Sequence, residues 1–141
     1  MKMKYESDLC NISDCPPSDC IQRDIDAYRF VYNPICPKSF IPQGKKNPQR
    51  VSKSINQTEC CSLLGLSMFE SEGKAIEKYK YLKKMIKNID KTIGSHLSKG
   101  KIEPKHGLLT KPNNQGHYDL FEFKGTDLSP DFQILLDLSG V

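Results

Sequence analysis

The chain has 141 residues and a formal charge of +4, from 21 Lys and Arg against 17 Asp and Glu. That length suits one domain with a modest core, and the charge is too small for an obligate nucleic-acid binder. No apolar run approaches the ~18 residues of a membrane span, and Met1–Cys10 lacks the apolar stretch of a secretory leader. A cytoplasmic location is therefore expected, with the six cysteines as thiols or metal ligands rather than disulfides.

The charge is unevenly spread. Residues 1–37 hold 4 basic and 6 acidic side chains, residues 38–111 hold 16 and 6, and residues 112–141 hold 1 and 5. Arg23, Arg29 and Arg50 are the only arginines. The scarcity of Arg disfavours a surface built for bidentate phosphate or base readout.

In chain order, residues 1–24 are polar, carry three cysteines and Pro16-Pro17, and show no regular periodicity, so they read as an irregular arm. Residues 25–141 form the domain proper. Ile25–Tyr32, rich in aromatic and β-branched residues, predicts a strand with Arg29 near its middle. Four prolines between Asn33 and Ser54 predict a long loop or lid. Residues 59–69 read as a short turn or helix running into a buried strand at Leu66–Phe69. Ser71 can cap a helix over about residues 72–89, whose Ala75, Ile76, Tyr79, Leu82, Met85, Ile86 and Ile89 make one apolar stripe. A turn is expected at Lys99-Gly100 and another at Pro112–Gly116. His117–Phe123 alternates enough to be a half-exposed strand, and Phe132–Leu138 reads as a last strand or short helix. The fold class is thus α+β: a small, mostly antiparallel sheet with one long amphipathic helix and a cysteine-containing arm.

Phosphate-loop, dinucleotide, His-Glu-x-x-His and Gly-x-Ser-x-Gly signatures are all absent. Cys10, Cys15, Cys20 and Cys36 can in principle close a tetrahedral zinc site, against the simpler reading of reduced thiols in an arm and a loop. Cys60-Cys61 point to different sides of any regular element and read as core thiols. His106 and His117 both border turns, where a base or ligand is readily presented. Lys80, Lys83, Lys84 and Lys87 lie off the apolar stripe and offer a basic face to a nucleic-acid backbone or an acidic protein.

The order Arg29, Ser67, Glu122, each on an expected strand, resembles that of Arg-Ser-Glu ADP-ribosyltransferases. That likeness implies an arginine gripping a pyrophosphate, a propping serine and a catalytic glutamate, with NAD as the cofactor. Leu66 and Met68 beside Ser67, and Leu120 two positions before Glu122, depart from the pattern. Three stretches, Tyr28-Arg29-Phe30-Val31, Gly65-Leu66-Ser67-Met68-Phe69 and Lys99-Gly100-Lys101-Ile102-Glu103-Pro104-Lys105-His106-Gly107, together resemble a family of small bacterial proteins over residues 16–132. The resemblance implies a single bacterial cytoplasmic domain and directs attention to Arg29, Ser67, His106 and His117, but implies no activity. The reading taken from the sequence is a cofactor-free interaction module that binds a macromolecule through its lysine face. The alternative is a transferase-like enzyme using Arg29, Ser67, Glu122 and a turn histidine, His106 or His117.

Overall fold

The computed structural model describes residues 1–54 and 56–141. Six antiparallel strands form one sheet: β1 (Ile25–Val31), β2 (Leu66–Phe69), β3 (His96–Ile102), β4 (Gly107–Leu109), β5 (His117–Glu122) and β6 (Phe132–Asp137), in the order β4-β5-β2-β1-β3-β6. The helices are α1 (Glu6–Leu9), α2 (Gln43–Lys46), α3 (Pro48–Lys53), α4 (Gln57–Ser62), α5 (Glu72–Met85) and α6 (Ile89–Thr92), so the chain is an α+β domain with one long helix. Among the described residues no helix is long and apolar enough to cross a membrane.

Three apolar clusters hold the layers together. On one side of the sheet Ala27, Val31, Leu66, Met68, Tyr118 and Leu120 pack with Phe40, Leu128 and Phe132. On the other, Phe30, Phe69 and Leu97 meet Ala75 and Tyr79 of α5, with the Phe30 ring centroid 5.3 Å from that of Phe69, tilted, and 5.1 Å from that of Tyr79, edge to face. Met3, Leu9, Cys61, Leu64, Phe121 and Phe123 make the third.

This third cluster revises the view of the arm. Met3 bridges to Phe123 and Ile21 to Leu109, and Lys4 N–H donates to the Glu122 carbonyl at 2.9 Å. Met3 and Leu9 of the arm pack in one cluster with Phe121 of β5 and Phe123 just beyond it, so the arm folds onto the sheet, with a single turn of helix in α1.

α5 begins as expected, with Ser71 Oγ accepting from Lys74 N–H, but it ends at Met85. Ile86 is already extended and Asn88 takes a left-handed conformation, leaving Met85 67% exposed instead of on the buried stripe. Lys99-Gly100 is no turn: β3 runs through it. Gly100 lies between Ala27 and Phe132, and a Cβ there would meet the Phe132 ring at 2.5 Å, so the glycine serves strand packing. The Pro-rich stretch folds into a 3₁₀ turn followed by α2 and α3. β5 is not half-exposed either: Tyr118 to Glu122 are all buried, because the helical layer, the opposite cluster and the arm cover both its faces.

Candidate functional site

A cleft of about 310 Å³ opens beside the short β1–β2 ladder, whose one paired position is Tyr28 opposite Phe69. Arg29 and Phe30 of β1, Ser67 and Phe69 of β2, and His117 and Asp119 of β5 all line it. The β2–β5 register explains the convergence. Ser67 sits opposite Asp119 and Phe69 opposite His117, and the two-residue period of a strand puts His117 and Asp119 on the same face as Ser67.

Ser67 Oγ and His117 Nε2 are 2.6 Å apart, a short hydrogen bond. Burial, reinforced by the nearby Lys78 charge, drives His117 down to about 4. The imidazole is therefore neutral at pH 7 and free to accept the serine proton. Asp119 Oδ1 lies 3.6 Å from the same nitrogen, and Ser62 Oγ donates to Asp119 Oδ2 at 2.8 Å. Burial pushes Asp119 up to about 7, against the pull of the Ser62 hydrogen bond and the Arg29 charge. Both Ser67 and Asp119 address Nε2, so the group is a serine–histidine dyad flanked by an acid, not a relay with the carboxylate on Nδ1.

Arg29 is buried, and burial lowers it to about 10, so it remains a cation at neutral pH. Its Nε donates to the Ser39 carbonyl at 3.0 Å and its Nη1 to the Ser67 carbonyl at 2.8 Å. Nη2 has no hydrogen-bond partner among the described residues. The guanidinium is thus fixed beside the Ser67 backbone by carbonyls, and among the described residues no carboxylate forms an ion pair with it.

The other expected site residues lie elsewhere. Glu122 is buried with Oε2 bound to Lys4 Nζ at 2.9 Å and Oε1 unpartnered, and it does not line the cleft. His106 is also buried; its Nδ1 accepts from Glu103 N–H at 2.9 Å and its Nε2 lies 3.4 Å from Asp131, which fixes the turn into β4. Of Arg29, Ser67, Glu122, His106 and His117, the structure brings Arg29, Ser67 and His117 together.

The cysteine set is broken up. Cys15 is bonded to Cys61, which removes it from a four-thiolate site and contradicts the expectation of six reduced cysteines. Cys10 is exposed, Cys36 lies before the 3₁₀ turn, and burial with Asp19 nearby pushes the Cys20 thiol up to about 11. Among the described residues no three His, Cys, Asp or Glu side chains gather as a metal ion requires. Lys80, Lys83, Lys84 and Lys87 are all exposed, and Lys83 Nζ donates to the Ser139 and Val141 carbonyls.

Sequence reasoning missed Asp119, Ser62 and Lys78. Asp119 stands two residues after His117, the strand spacing that shares a face, so a signal was present. Ser62 and Lys78 reach the cleft only through the placement of α4 and α5. No protein-family model matches the chain, and no curated protein or solved structure is similar enough to be matched to it.

Proposed function

We propose that the cleft is the active site of a small hydrolase or acyltransferase in which Ser67 is the nucleophile and His117 its base. The observation that carries this reading is the 2.6 Å contact of Ser67 Oγ with a neutral His117 inside a cleft that Arg29 lines. On an ester, Ser67 Oγ bonds to the carbonyl carbon while its proton passes to His117 Nε2. Arg29, held at the Ser67 backbone, stabilises the oxyanion. The carbon–oxygen bond to the leaving alcohol then breaks and that oxygen takes the proton from His117. Water attacks the acyl carbon as it gives a proton to His117 Nε2, His117 passes that proton to Ser67 Oγ as the Oγ–carbon bond breaks, and the carboxylic acid leaves. Ser62 holds Asp119 beside the imidazole, and neither need exchange protons with substrate.

The test is labelling with an alkyl fluorophosphonate, read by peptide mass spectrometry, together with hydrolysis of p-nitrophenyl esters. A single adduct on Ser67 is expected, with turnover abolished in Ser67→Ala and lowered about 10²-fold or more in His117→Gln. Adducts scattered over exposed serines, or turnover untouched in both variants, would overturn the assignment. An NAD-dependent transferase needs a carboxylate in this cleft, and Asp119, not Glu122, is the one that lines it.

The lysine face supports a second role, capture of an acidic macromolecule, favoured by the exposure of Lys80 and Lys84 on α5 and of Lys87 just beyond its end. Reversal of these three to Glu is expected to abolish salt-sensitive retention on heparin while leaving ester hydrolysis unchanged. Retention equal to that of the unaltered chain would remove this role.

A further inference from the structure

The dyad occupies only part of the cleft, and the remainder has a graded chemistry. Lys78, Leu82 and Ile86 follow at four-residue steps on α5 and at its end, so one helical face supplies that wall. Lys78 is at the dyad end. Its charge depresses His117, and its Nζ donates to Gln115 Oε1 at 3.3 Å. From Lys78 the wall turns apolar through Leu82 and Ile86, and Ile93 continues it from the segment after α6. Eight residues of helix at 1.5 Å each make this wall about 12 Å long. Leu82, Ile86 and Ile93 are half-buried and pack on the α5 cluster, leaving apolar surface turned to the cleft rather than sealed in the core.

The charges that line the cleft do not balance. Arg29, Lys78 and Arg50 line the cleft against one carboxylate, Asp119, which burial holds partly protonated near neutral pH. A cavity cationic at one end and oily along one wall favours a ligand with an anionic or oxyanion-forming head and an unbranched apolar tail.

We infer that the acyl group handled at this site is a medium-length straight chain, its carboxyl carbon at Ser67 between Arg29 and Lys78 and its tail laid along Leu82, Ile86 and Ile93. This rests on the serine–histidine reading, since it assigns the acyl half of that reaction. The carboxylate formed on hydrolysis is then a ligand of the same cleft. Straight-chain carboxylates are thus direct probes of the acyl subsite, separate from turnover.

The experiment is isothermal titration of the Ser67→Ala chain with straight-chain carboxylates from butanoate upward, with octanol and octylammonium as controls. Affinity is expected to rise about fourfold per added methylene and to level off once the tail spans the wall. Octanoate is expected to bind about tenfold or more tighter than octanol, with octylammonium weaker still. Lys78→Glu should remove the preference for the carboxylate and keep the chain-length slope. Ile86→Asp, at the end of α5 where helix formation is least disturbed, should flatten the slope and keep the head preference. Circular dichroism checks that each variant is folded. Affinity independent of chain length, or octanol bound as tightly as octanoate, overturns the inference even if the unaltered chain forms its adduct on Ser67. The expected binding series with no adduct on Ser67 in the unaltered chain upholds the subsite and overturns the nucleophile, so the two readings fail separately.

Discussion

The most demanding test of the cleft is the pH dependence of folding stability, because His117 and Asp119 oppose one another. Asp119 has its folded pKa raised from 3.8 to about 7. The folded chain therefore binds more protons at this site than the unfolded one between those values. Its stabilising contribution is complete below 3.8 and is lost as pH rises through 7. At 1.36 kcal/mol per pH unit the loss is about 4 kcal/mol. His117 has its folded pKa lowered from 6.5 to about 4, so its contribution is present above 6.5 and disappears as pH falls through 4, about 3 kcal/mol over that window. Between about pH 4 and 6.5 the two slopes nearly cancel. Asp119→Asn removes the falling one and should make stability climb with pH relative to the unaltered chain. His117→Gln removes the rising one and should make stability fall with pH. The assay is urea unfolding at half-unit steps across this range, comparing slopes and not absolute stabilities, since each substitution also costs packing. Parallel pH profiles for the two variants and the unaltered chain would refute the argument that burial sets both groups.

Three further outcomes follow from packing and connectivity. Arg29→Met strands the buried Ser39 carbonyl and the half-buried Ser67 carbonyl that Nε and Nη1 satisfy, and a loss of about 3 kcal/mol is expected in urea unfolding. Cys15→Ser opens a cross-link between residues 46 apart, worth about 4 kcal/mol by loop-closure entropy, and a matching drop in midpoint should appear on adding reductant to the unaltered chain. Gly65→Ala places a Cβ 2.9 Å from that of Asp119 and 3.2 Å from the Phe121 ring, so it should displace Asp119 and lower ester turnover more than it lowers the melting temperature.

Local chemistry was legible in the sequence wherever a short segment contains its own instructions. α5 follows from Ser71 as cap and from apolar residues at three- and four-residue steps, and its start agrees with that reading. β1 follows from its β-branched and aromatic run and β2 from its apolar one, while Phe132–Leu138 was open between strand and helix until β3 paired with it, and Arg29, Ser67 and His117 stood out by residue type and position. Errors lay where a distant segment decides the outcome. The Lys99-Gly100 pair looks like a turn until Phe132 is packed over it, and β5 looks half-exposed until the arm and the helical layer cover it.

The composition of the cleft is the clearest division. Sequence alone names a serine, a histidine and an arginine, and the two-residue period of a strand ties Asp119 to His117. The antiparallel register that sets Ser67 opposite Asp119 depends on pairing across about fifty residues, and no local pattern specifies it. Glu122 was the expected acid, yet strand alternation puts it on the face of Tyr118 and Leu120, away from His117 and Asp119, where Lys4 from the opposite end of the chain binds it. Asp119 and His117 depart from their ordinary pKa values because the folded chain removes water from them, and desolvation belongs to the tertiary structure, not to any residue.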